Sequence, residues 1–159
     1  TKVGTLISEK EAIRVEKSIA TAVSEGATLL TGGARTGAIV QPAIVCGVNP
    51  KSAFAQDELF GPAIAVSSTT GITDAIAIAN DSAYGLGAGV FTKNMDNSIQ
   101  AARELDAGSI HINWTPLWRA DLMPYGGLKS SGIGKEGVRS TVNEMTEEKT
   151  IILHGRSWQ

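Results

Sequence analysis

Five glycines, one proline and two serines fall within the fifteen residues Met123–Gly137. Such a run cannot be the interior of a helix or of a central strand, because glycine gives away backbone entropy there and proline removes a donor. A loop of this kind persists in a compact domain when the chain must follow an unusual path around a ligand or a neighbouring chain. Regular elements are therefore expected before and after it, with the loop itself reserved for a site.

The rest of the composition narrows the class. A chain of 159 residues with 42% hydrophobic content and a net charge of −2 suits one domain, able to bury about 70% of its unfolded surface. Nucleic-acid binding would call for a basic excess, which is missing, so no nucleic-acid partner is expected. No apolar run approaches the roughly 20 residues that span a bilayer, and no signal peptide is recognisable. Cys46 is the single cysteine, so no internal disulfide can form, which fits a reducing, cytoplasmic compartment. The chain opens Thr1-Lys2-Val3-Gly4 without a methionine, and we expect a piece of something longer.

Along the chain, Ser8-Glu9-Lys10-Glu11 reads as a capping box, with the Ser8 hydroxyl on the Glu11 amide and Glu11 reaching back. Ala12, Val15, Ile19, Ala22 and Val23 follow at helical spacing, and Gly26 is placed to end the helix. Ala27–Leu30, Ala38–Val45 and Ala63–Ser67 read as strands, with Pro42 marking an edge or bulge. Thr73 is expected to cap a helix through Asn80 with Ile76 and Ala79 inward. Leu86–Phe91 is a glycine-loosened strand. Asn94 caps a helix carrying Ile99, Ala102 and Leu105 inward and closed by Gly108. Ser109–Asn113 alternates as a strand, a helix lies near Val138–Met145, and Lys149–Leu153 forms a terminal strand. Strands alternating with helices make the class α/β with a sheet at least partly parallel; no repeat or internal linker interrupts it.

Several residues carry two readings. Gly132-Ile133-Gly134-Lys135-Glu136-Gly137 is a literal G-x-G-x-x-G. No strand leads directly in, however, and Ser157 stands where the dinucleotide fingerprint wants an acid, so we read a decoy. Cys46, in Ala43-Ile44-Val45-Cys46-Gly47, reads as a small buried hydrophobe, since a nucleophilic thiol wants an electropositive, partly exposed setting. His111 reads as a packed or surface histidine, and two histidines with one cysteine make no metal cluster. Glu58, just before Gly61-Pro62, is either a solvated acid beside a turn or a ligand-holding carboxylate. Arg119, in Trp114-Thr115-Pro116-Leu117-Trp118-Arg119-Ala120-Asp121, is either the anion-holding wall of a pocket or a surface partner of Asp121.

Asp57-Glu58-Leu59-Phe60-Gly61-Pro62 and Met123–Gly137 together resemble the aldehyde dehydrogenase superfamily, in the C-terminal part of its catalytic domain. Glu25-Gly26-Ala27, Thr31-Gly32-Gly33, Gln41-Pro42, Tyr84-Gly85-Leu86, Phe91-Thr92-Lys93, Ala107-Gly108 and Asn113 follow in the family's order, so that the resemblance runs from Leu6 through Lys149. It implies a three-layer α/β portion with a mixed, mostly parallel sheet over residues 1–148, then an oligomerisation strand and tail over 149–159. It also implies NAD or NADP as cofactor and a small aldehyde as substrate. A cysteine thiolate attacks the carbonyl, hydride leaves for the nicotinamide, and water activated by a glutamate releases the acid.

By the same resemblance Glu58 holds the nicotinamide ribose hydroxyls, Phe60 packs on the nicotinamide ring, and Glu147 is an accessory proton acceptor near the substrate. Trp118, Arg119 and Tyr125 line the substrate tunnel. Arg119-Ala120-Asp121 with Pro124-Tyr125 is similar to the subgroup acting on phosphorylated or otherwise anionic small aldehydes, which includes non-phosphorylating glyceraldehyde-3-phosphate, lactaldehyde-type and phosphonoacetaldehyde dehydrogenases. The family's Gly-Gln-x-Cys nucleophile, general-base glutamate and nucleotide-binding domain match nothing in these 159 residues. The expectation is therefore a fragment, inactive alone, that forms one wall of a bipartite site and self-associates through its last strand. The alternative is a stand-alone, non-catalytic binding module built on the same fold.

Overall fold

The computed structural model describes residues 3–155 as two compact units that meet in sequence at Ser82 and Ala83. Both are α/β.

In the first unit, helix α1 (Glu9–Ser24) lies against a sheet of three strands, β1 (Thr28–Thr31), β4 (Ala43–Cys46) and β5 (Ala63–Val66). The order is β1-β4-β5, antiparallel between the first two and parallel between the last two. Ala12, Val15, Ile19 and Ala22 recur at helical spacing and are buried against Val40, Ala43, Val45 and Val48. Each fully buried valine or isoleucine among them contributes roughly 1.5–3 kcal/mol. The Glu11 amide donates to Ser8 Oγ at 3.3 Å, but only half of the expected box is made. The Glu11 carboxylate turns to Arg14 Nε at 2.7 Å, because a charged partner one turn on offers more than an amide already facing water. Gly26 takes the left-handed position at φ 104.

Pro42 divides the expected Ala38–Val45 strand. β3 (Ile39–Val40) instead forms a hairpin with β2 (Arg35–Thr36), and β4 begins after the proline. Arg35 fastens that hairpin to α1, donating to Glu16 at 2.8 Å and Glu9 at 3.1 Å. The Glu16 hydrogen bond is the main reason the guanidinium is held above its ordinary pKa, with partial desolvation pulling the other way. Short helix α2 (Ala53–Gln56) leads into the turn before β5. Helix α3 (Ile72–Asn80) starts at Gly71, not under a Thr73 cap. Asp74, inside the first turn, accepts from the amide and hydroxyl of Thr70 at 3.0 and 3.2 Å, which closes the entry. Ile76 is buried as expected, whereas Ala79 faces solvent.

The second unit holds parallel strands β7 (Gly87–Val90) and β8 (Ser109–Ile112), joined through helix α4 (Met95–Glu104). Strands β6 (Tyr84–Gly85) and β9 (Leu128–Lys129) pair antiparallel, and helix α5 (Val138–Glu144) follows. Asn94 Oδ1 caps α4, accepting from Asp96 and Asn97 at 2.8 and 3.2 Å. The inward face of α4 differs from the expected one. Ala101 is the buried residue, flanked by partly covered Ser98 and Leu105, while Ile99 and Ala102 are exposed. The helix stops at Leu105, which is already extended, rather than at Gly108. Lys149–Leu153 is not a strand here. Residues 146–155 carry no regular structure, since strand pairing needs a neighbour and none of the described strands offers these residues a register. The predicted tail beyond His154-Gly155 falls on residues 156–159, outside those described. Among the described residues no helix is long and apolar enough to cross a membrane.

Candidate functional site

Glu58 and Phe60 share one loop of the first unit. Helix α2 ends at Asp57 with extended backbone, and Phe60 then turns left-handed at φ 46, a conformation that costs a non-glycine residue about 1 kcal/mol or more. Two contacts hold it there. Arg14 Nη2 on α1 donates to the Leu59 carbonyl at 2.6 Å, and Gly61 lies so close to α1 that an added Cβ would sit 2.5 Å from Val15 Cγ2. Leu59 packs against the core between them. The residues on either side are pushed outward, so that the Glu58 carboxylate is exposed and the Phe60 ring is 76% exposed. Glu58 and Leu59 border a concavity of about 210 Å³ with Arg14, Lys17, Thr21 and Phe54. A free carboxylate accepts two hydroxyl hydrogen bonds at once, and an uncovered aromatic face suits a flat ring.

In the second unit, Asn113 ends β8 in the left-handed region at φ 56. Its amide donates to Val90 O at 2.6 Å and its Oδ1 accepts from the Thr92 amide at 2.8 Å. The chain then makes two turns, with the Trp118 amide on Thr115 O and the Met123 amide on Ala120 O, and Arg119 sits between them. The Arg119 guanidinium carbon lies 4.4 Å from the centre of the Tyr125 ring, and Nη2 is 3.3 Å from Glu136 Oε2. The carboxylate it meets is thus Glu136, not neighbouring Asp121. Tyr125 and Glu136 are themselves an antiparallel bridged pair exchanging both backbone hydrogen bonds, which brings ring and carboxylate out side by side.

Trp118 meets His111 edge to face, with centroids 6.3 Å apart, over an open concavity of about 380 Å³ bordered by Ile110, Ile112 and Trp114. His111 Nε2 is buried there without a hydrogen-bond partner. The glycine-rich loop is tied to helix α5 and to itself: the Lys135 amide donates to Glu144 Oε1 at 2.8 Å, and Lys135 Nζ to Gly126 O at 2.9 Å. Within Gly132–Gly137 the Lys135 amide thus already serves a carboxylate.

A model of the aldehyde dehydrogenase family matches residues 1–151. The chain belongs to that family. It is 43% identical over 154 residues to the lactaldehyde dehydrogenase of Methanococcus maripaludis, covering 97% of this chain and 33% of that protein. Against the 3-sulfolactaldehyde dehydrogenase of Priestia aryabhattai it is 44% identical, covering 97% and 32%. Among solved structures it resembles the glyceraldehyde-3-phosphate dehydrogenase of Methanocaldococcus jannaschii complexed with NADP. There the TM-score is 0.88 at 40% identity, covering 96% of this chain and 33% of the other. The chain thus spans about a third of the length of the relatives it matches.

Set beside the family resemblance, Arg119 and Tyr125 are in direct contact, with Trp118 adjacent on the same loop. Glu58 and Phe60 are neighbours on theirs, in the other unit. Glu147 stands exposed in the irregular chain after α5, and among the described residues no hydrogen bond or ion pair joins it to Arg119 or Tyr125. Cys46 is partly buried in β4, its backbone paired with Thr28 and Val66. Sequence reasoning missed Arg14 and Glu136. The first was signalled only by its i, i+3 spacing from Glu11, and the second lay hidden inside the G-x-G-x-x-G run.

Proposed function

We propose that this chain is the C-terminal part of the catalytic domain of an NAD(P)-dependent aldehyde dehydrogenase that oxidises a small, anionic aldehyde to the carboxylate. The observation that carries the reading is the Glu58–Phe60 loop, where an unpaired carboxylate and an uncovered aromatic ring are held outward by Arg14, Val15 and a left-handed backbone. NAD or NADP, when bound, accepts the hydride. This chain's share is to hold the ribose hydroxyls on Glu58, to support the nicotinamide ring on Phe60 and to line the substrate entrance with Trp118, Arg119 and Tyr125. Glu147 takes a proton near the substrate end, as an accessory to the main base. Arg119, always cationic and stiffened by Tyr125, orients an anionic group bidentately.

The thiolate nucleophile and the main base come from outside these 159 residues, so that the chain alone does not turn over. The exposed Ile151, Ile152 and Leu153 support a homo-oligomer in which this segment pairs as an edge strand with a second copy. A lone cysteine fits the cytoplasm.

The test is steady-state kinetics of the full-length enzyme, following reduced nicotinamide. Glu58→Gln and Phe60→Ala should raise KM for NAD(P) several-fold, while the 159-residue chain gives no turnover. Unchanged cofactor KM in both variants would sink the reading of this loop, and turnover by the isolated chain would sink the one-wall model.

A further inference from the structure

The Arg119 guanidinium is already engaged. It lies over Tyr125 and points Nη2 at Glu136, and the two supports are locked to each other through their backbones. Yet the Arg119 and Glu136 side chains are 44% and 69% exposed. Exposed ion pairs are weak and salt-screened, and a single 3.3 Å contact is longer than a good charge-assisted hydrogen bond.

We propose that Glu136 is a built-in counter-ion that an anionic substrate must displace, and that it sets how strongly the enzyme prefers anionic over neutral aldehydes. This rests on the reading of Arg119 as the anion-holding residue. The Tyr125 ring fixes the guanidinium plane without using its N–H donors, so an oxyanion with two oxygens can take the fork while Glu136 swings into water. A neutral aldehyde cannot displace it and meets a wall whose charges cancel. Glu136 therefore lowers the affinity for anionic substrates, and it rejects weak anions that cannot outbid a carboxylate. The opposite role, Glu136 as a brace that readies Arg119 for the anion, predicts the opposite sign.

The matched pair 3-sulfolactaldehyde and lactaldehyde tests this in the full-length enzyme, since the two differ by one sulfonate. Glu136→Gln keeps the backbone bridge to Tyr125 and removes only charge. Its KM for 3-sulfolactaldehyde, relative to that for lactaldehyde, should fall about two- to fivefold, and inhibition by inorganic sulfate should strengthen in parallel. Arg119→Ala should raise the same ratio, and adding Glu136→Gln to it should bring back only part of the loss. A rise in the ratio for Glu136→Gln, or no change in it, overturns the counter-ion role while leaving Arg119 as the anion site. An Arg119→Ala variant equally impaired on both aldehydes overturns the anion site itself.

Discussion

Arg14 Nη2 reaches the Leu59 carbonyl at 2.6 Å across forty-five positions of sequence, and so ties the middle of the first helix to the residue between Glu58 and Phe60. Its Nε is meanwhile held by Glu11 at 2.7 Å. The helix that forms the core of the first unit is also the jig for its exposed loop. Arg14→Ala in the full-length enzyme should raise KM for NAD(P) roughly threefold or more with a smaller effect on kcat. Arg14→Lys should recover part of it, having the charge but not the fork. Cofactor titration of the two variants checks this, and indistinguishable KM values would refute it.

Gly61 has no room for a side chain, because a Cβ would meet Val15 Cγ2 at 2.5 Å. Gly61→Ala should therefore destabilise by about 1–3 kcal/mol. Combined with Val15→Ala, the loss should be smaller than the two single losses added, since the second change removes the methyl that clashes. Urea unfolding midpoints of the three variants decide it; strict additivity would mean that the loop shifts away from α1.

Cys46→Ser should leave turnover of the full-length enzyme nearly unchanged with a modest loss of stability, because the thiol lies within a paired strand and only its small size is used. Rapid-mixing kinetics are the check: loss of the acyl-enzyme burst in this variant would make Cys46 the nucleophile and overturn its structural role.

Glu144 holds the Lys135 amide at 2.8 Å. Without that acceptor the Lys135 amide loses its partner, while the Lys135 Nζ contact to Gly126 and the Tyr125–Glu136 bridge remain. Glu144→Ala should speed tryptic cleavage after Lys135 several-fold while leaving cleavage sites in the first unit untouched. Equal rates in wild type and variant would show that the carboxylate does not brace the loop.

Local chemistry was the part of this fold most open to reading. Ser8, Asn94 and Gly26 act as their residue types dictate, and the α1 stripe buries the residues its period marks. Errors came where two local solutions competed. The α3 entry starts two residues before the expected Thr73, at Gly71, with Asp74 holding Thr70, and α4 buries Ala101 because a small side chain allows close approach to β8, which periodicity of bulky residues cannot announce. Lys149–Leu153 reads as a strand because Ile151 and Ile152 favour one, but a strand is a relation between two segments and one segment cannot reveal its partner. The residue types on which the proposed site rests, at Glu58, Phe60, Arg119 and Tyr125, are legible in the sequence. The pairing of Arg119 with Glu136 depends on the register of a loop closure, for which no local signal exists.

Gly87 and Gly89 leave one face of β7 bare. A Cβ on Gly89 would come within 2.8 Å of the Trp114 carbonyl and 3.0 Å of Pro116, and one on Gly87 within 3.2 Å of Pro116. The loop after β8 is therefore laid flat on the sheet at its start and riveted at its end by Tyr125 and Glu136. Between those fixtures Leu117 and Leu122 point into solvent and contribute almost nothing to the interior. Residues 117–123 are in effect an interchangeable cartridge, whose sequence can drift while the strands beneath it stay in register.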